Sequence, residues 1–138
     1  LIYIDGSDVS TTADSDFALD LGRAVYNAGL NTHLADNGLV SSGGTDLFAA
    51  GVSTSIGSNP TVGVHSWAGG WDGNENGTAW DIRFDEDHPE HVRYINYFKD
   101  IGFSQQEAED FYFFTIRSAP ANDIHDMTVQ EINMYLIR

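Results

Sequence analysis

Residues 39–67 read LVSSGGTDLFAAGVSTSIGSNPTVGVHSW, and the punctuation of this stretch decides the fold. Leu39 and Val40 end a short apolar run at Ser41-Ser42-Gly43-Gly44. Thr45 to Ala50 then has helical character and stops at Gly51, a residue free to adopt the left-handed backbone that closes helices. Val52 to Ile56 and Val62 to Trp67 are β-branched, strand-like runs, and Gly57-Ser58-Asn59-Pro60 between them reads as the turn of a hairpin. A strand, a glycine-rich joint, a helix and further strands make a βαβ unit.

The flanks continue the pattern. Leu1 to Asp5 is a first strand that meets a turn at Gly6-Ser7. Phe17, Leu21, Ala24, Val25 and Ala28 recur at helical spacing, which predicts a helix from Ser15 to Ala28 with Gly29 as its stop. Asn31 to Ala35 is a second strand, followed by an Asp36-Asn37-Gly38 turn. Beyond residue 67 the Gly, Asn and Trp content of residues 68–78 marks a long exposed loop. A helix is then expected from His88 to Asp100, broken at Gly102. Ser104 with Glu107, and Thr128 with Glu131, are two capping boxes, each opening a further helix. The whole predicts an α/β fold with a mostly parallel sheet and C-terminal helices, in one domain spanning residues 1–138.

Composition narrows the function. Twenty-one Asp and Glu against 6 Lys and Arg give a formal charge of −15, which repels a phosphate backbone and argues against nucleic acid as a partner. There is no cysteine, so thiolate chemistry and disulfides are excluded. Apolar runs such as Leu47 to Val52 fall far short of the roughly 20 residues of a membrane helix, so no membrane span is expected. The chain opens inside a strand pattern without an initiating Met, which suggests a processed or trimmed segment, while the acidic charge suits an extracytoplasmic location.

Chemistry concentrates in the opening stretch. A serine hydroxyl becomes a nucleophile only when a base takes its proton, and the oxyanion that follows needs backbone N–H donors. Ser42 stands between a strand and a helix start, and Gly43 and Gly44 leave the backbone open to a substrate carbonyl. The same residues also suit an ordinary helix N-cap. His65, 23 positions on, ends a strand. Alone it reads as a structural histidine; with Ser42 it makes a nucleophile and base pair.

This segment resembles the nucleophile-to-base segment of Clp-type protease subunits and their crotonase-like and periplasmic relatives. There a small-residue serine motif opens a helix ending in Ala-Ala-Gly, as Phe48-Ala49-Ala50-Gly51 does here, and a histidine closes a later strand. Matching from that helix end puts the nucleophile at Ser42, with Ser41 as the fallback. The resemblance implies a βαβ spiral core, a serine peptidase or other hydrolase acting on peptide or acyl substrates, no cofactor and no metal, and assembly into a homo-oligomer. It also implies an oxyanion hole from the amides of Gly43 and of the Gly6-Ser7 turn, although the family's Pro-Gly-Gly is here Gly6-Ser7-Asp8-Val9. The family's triad acid precedes a helix start like Met127-Thr128-Val129-Gln130-Glu131, which points to Asp123, then Asp126, with Asn122 a weaker match. The altered glycine turn keeps a rival open, a non-catalytic scaffold of the same fold that binds peptides in its groove.

Two other motifs have plainer readings. Asp72 to Gly77 fits the first half of a calcium loop, with Asp81 as a further ligand, but Arg83 stands where the bidentate Glu is required, so an acidic hairpin loop is expected. His88 and His91 have helical spacing suited to zinc, yet Pro89 reads as a first-turn proline with Asp87 as the cap. His125 takes no role, and Phe111 to Phe114, Tyr94 and Tyr97 are expected in the core or a subunit contact.

Overall fold

A computed structural model of the chain describes residues 1–4 and 15–138, with backbone only for Ser15 and Asp16. It is a mixed α/β structure. The strands are β1 (Ile2–Ile4), β2 (Thr32–Leu34), β3 (Leu39–Ser41), β4 (Thr54–Ile56), β5 (Thr61–Val64) and β6 (His125–Asp126). The α-helices are α1 (Ser15–Asn27), α2 (Gly43–Ala49), α3 (Val92–Asp100), α4 (Gln105–Ser118) and α5 (Val129–Tyr135). Single 3₁₀ turns occupy Ala79–Ile82 and Pro89–His91.

Two three-stranded sheets organise the chain. One is all parallel, in the order β1-β2-β4; the other joins β3 and β5 in parallel and β5 and β6 antiparallel. Each step from β2 to β3, and from β4 to β5, therefore crosses from one sheet to the other. This corrects the hairpin expected at residues 52–67. The Gly57 to Pro60 turn is present, but β4 pairs with β2 and β5 with β3. Local turn chemistry signals a reversal of the chain; which neighbour supplies the ladder bonds is set by distant strands.

The helices follow their sequence signals closely. Both capping boxes form: Ser104 and Thr128 accept from the N3 amides, and Glu107 and Glu131 accept from the cap amides. α2 starts two residues earlier than expected, at Gly43, because burial of Gly44 and Thr45 overrides the low helix propensity of glycine. The cap of the Pro89 turn is His88 rather than Asp87, its Nδ1 accepting from the Glu90 amide at 3.2 Å.

The core joins α2 to the C-terminal helices. Phe48, Tyr97, Ile101, Phe111, Tyr112, Ile116, Ile132 and Leu136 are all buried. α1 packs on α2, α3 on α4, and α4 against β5, so the α2–β5 junction lies among all of them. Gly22 makes the approach of α1 to α3 possible: a Cβ there would lie 1.9 Å from the Tyr97 hydroxyl. Tyr97 has nowhere to retreat, since its hydroxyl donates to the Asp46 carbonyl at 2.6 Å and its ring is buried. Gly22→Ala is therefore expected to destabilise the fold by about 1–3 kcal/mol through overpacking, against a helix-propensity gain of only about 1 kcal/mol. The midpoint of urea unfolding measures it.

Candidate active site

Ser42 joins β3 to α2 with φ 54° and ψ −122°. A side-chain-bearing residue held at such a positive φ costs about 1–3 kcal/mol, and a sharp strand-to-helix turn of this kind turns the serine hydroxyl outward. A serine at a helix N-cap ordinarily accepts a hydrogen bond from an amide of the first turn. Ser42 makes no such bond; its hydroxyl instead hydrogen-bonds Nε2 of His65. The N-cap reading of Ser41-Ser42-Gly43-Gly44 thus gives way to a serine–imidazole pair. Because Gly accepts the backbone without strain, Ser42→Gly is expected to be more stable than Ser42→Ala by about 1–2 kcal/mol in thermal unfolding, although glycine loosens the unfolded chain.

The proton positions follow from the other imidazole nitrogen. His65 Nδ1 lies 2.7 Å from the Ser66 carbonyl oxygen. A carbonyl only accepts, so Nδ1 carries the proton and Nε2 is left to accept from Ser42 Oγ–H. Ser66 is held firmly. It is fully buried, its hydroxyl donates to the Ile116 carbonyl at 2.7 Å, and its amide donates to the Ala119 carbonyl at 2.9 Å. Thr45 Oγ1 donates to the Gly63 carbonyl at 2.8 Å and ties the helix of the serine to the strand of the histidine.

Asp123, expected to orient His65, does not do so. Its exposed carboxylate accepts from the neighbouring Ile124 amide at 2.8 Å, and among the described residues no carboxylate hydrogen-bonds His65. Strand register explains the correction. β6 pairs Asp126 with Gly63 and His125 with Val64, so the next position along the register, opposite His65, belongs to Ile124. Asp123 lies before that strand in the turn closed by its amide on the Pro120 carbonyl, with its carboxylate on the Ile124 amide. Asp126 shares the face of His65 but stands beside Gly63, two residues away along the strand. His125 Nε2–H donates to Glu131 Oε1 at 2.9 Å and the ring packs edge-on to Phe114, a structural role.

A cavity of about 260 Å³ opens at the pair, lined by Ser42, Gly43 and His65. One wall is a stack of three aromatic rings: Trp67 lies on Tyr94 at 5.5 Å between centroids and Tyr94 on Tyr112 at 5.8 Å, both pairs nearly parallel. The stack is anchored by buried hydrogen bonds. Tyr112 accepts from Trp67 Nε1 at 2.9 Å and donates to His91 Nδ1 at 2.7 Å, while His91 Nε2–H is shared by the Ile82 and Asp85 carbonyls. Burial holds the His91 imidazolium form down, which suits a ring that must accept on Nδ1. This network occupies His91, so the zinc pairing with His88 is not formed.

Asp46 also lines the cavity, one helical turn beyond Ser42. Desolvation raises its carboxyl from 3.8 to about 7. The sequence signal for it is its place in the first turn of the helix that Ser42 precedes. Ser66 had none, because it acts through its backbone.

The other expected features divide. Gly43 lies at the cavity, and its amide opens α2, where no carbonyl four residues back within the helix can accept from it. The Gly6-Ser7 turn lies outside the described residues. Asp81 accepts from the Thr78 amide at 2.9 Å in a capping box, which commits it to the 3₁₀ turn rather than to a calcium loop. Among the described residues no group of three or more His, Asp or Glu side chains is placed to hold a metal ion. No helix among them is long and apolar enough to cross a membrane. Comparison with protein-family models, curated proteins and solved structures gave no match.

Proposed function

We propose that the protein is a serine hydrolase of the Clp-protease and crotonase kind, acting on peptide or other acyl bonds, with Ser42 as nucleophile and His65 as base. The observation that carries this reading is the hydrogen bond between Ser42 Oγ and His65 Nε2, at a serine held in a strained turn on the rim of a cavity. Ser42 Oγ attacks the acyl carbon while its proton passes to Nε2. The imidazolium so formed keeps its Nδ1–H on the Ser66 carbonyl, whose negative end stabilises the charge less than a carboxylate would. The tetrahedral oxygen takes the free amide of Gly43. Collapse of the intermediate moves the proton from Nε2 to the leaving group, and water then hydrolyses the acyl–serine ester by the same route reversed.

The family resemblance carries with it a βαβ spiral core and a homo-oligomer. Acyl-enzyme formation tests the central reaction. Mixing the protein with excess p-nitrophenyl acetate is expected to release a burst of nitrophenolate approaching one per chain, absent in Ser42→Ala. A burst unchanged in that variant would remove Ser42 as the nucleophile, and none in the wild type would leave the fold as a non-catalytic groove.

A further inference from the structure

The cavity beside Ser42 has a composition that ordinary apolar recognition does not need. Asp46 lies in the first turn of α2, which Ser42 precedes, and lines the same cavity as the nucleophile. Its carboxylate accepts no hydrogen bond among the described residues, and no Lys or Arg lines the cavity with it. Trp67, Tyr94 and Tyr112, aromatic rings of the kinds that attract cations, line the same cavity. Tyr94 already seats a guanidinium, that of exposed Arg93 at 5.0 Å from its centroid. The chain as a whole carries −15, a field that draws cations and repels anions.

We propose that Asp46 and the stacked rings of Trp67, Tyr94 and Tyr112 form a subsite that selects substrates with a cationic side chain, an ammonium or guanidinium, beside the scissile acyl bond. This deepens the serine hydrolase reading and rests on it for the meaning of "scissile". A half-buried carboxylate without a partner among the described residues is partly stripped of water, and an incoming cation offsets that cost, so the cavity discriminates between charged and neutral acyl groups. The aromatic wall packs against the methylenes and faces the charge.

The test compares p-nitrophenyl esters of 6-aminohexanoate, heptanoate and adipate monoanion, which present cationic, neutral and anionic ends of similar length. For the wild type, kcat/KM for the cationic ester is expected to exceed that for the neutral ester by about tenfold or more, with the anionic ester slowest. In Asp46→Asn the ratio of cationic to neutral is expected to approach one. A wild-type ratio near one, or a preference that survives in Asp46→Asn and disappears with added salt, overturns the subsite and leaves only surface attraction. Should no ester be hydrolysed, the hydrolase reading fails by itself, and the subsite is judged by tryptophan fluorescence during titration with n-butylguanidinium. Saturable quenching in the wild type that Asp46→Asn weakens at least about tenfold upholds it, and equal titrations of the two proteins overturn it.

Discussion

Replacing His65 by alanine is expected to slow p-nitrophenyl acetate acylation of Ser42 by about 10²–10⁴-fold while leaving the melting transition in place. The hydroxyl of Ser42 hydrogen-bonds Nε2, and among the described residues the half-buried site offers no other base within its hydrogen bonds. The fold does not depend on the imidazole, which lines the cavity and among the described residues bonds only to the serine and to the next carbonyl along the chain. Asp123→Ala and Asp126→Ala provide the contrast. Both carboxylates are exposed and neither touches His65, so acylation is expected to stay within about twofold in each. A large loss in Asp123→Ala would mean that the acid reaches the histidine in a conformation other than this one.

The largest stability effect belongs to Asp46. Its carboxyl is raised from 3.8 to about 7 by desolvation. In the window between those values the native chain holds a proton that the unfolded chain has released, so wild-type stability contributed by this group falls as pH rises and levels off above about 7. Asparagine has no proton to lose. Asp46→Asn is therefore expected to match the wild type below about pH 4 and to exceed it by about 2–4 kcal/mol at pH 8, a range reduced for the partial exposure of the side chain. Urea unfolding of both proteins at pH 4 and pH 8 measures the difference. Equal midpoints at pH 8 would show that the carboxylate is solvated there. A stable Asp46→Asn protein also ensures that loss of cation preference is not loss of fold.

What the sequence revealed depended on how local each determinant was. Ser104 with Glu107 and Thr128 with Glu131 fix their helix starts within four residues, and both formed as read. The apolar spacing from Phe17 to Val25 placed α1 for the same reason. Pairing of β4 with β2 and of β5 with β3 depends on strands about twenty residues away, and a Gly-Ser-Asn-Pro turn says nothing of that choice. Ser42 and His65 were legible because glycines and a strand end announce them. The partner of His65 was not. It was decided by the register of a two-residue strand, which sets Ile124 opposite the histidine, and by the backbone of Ser66, which any residue would supply. Asp46 lay in plain sight at helical spacing, but only the packed cavity gives its carboxyl an unusual environment.

The account rests on a hydroxyl made reactive by one imidazole, and labelling with a fluorophosphonate followed by peptide mapping tests this most directly. A single phosphonyl adduct is expected on Ser42 in the wild type, with none on the His65→Ala protein over the same time. An adduct confined to another serine, or an unlabelled wild type that is demonstrably folded, would contradict it.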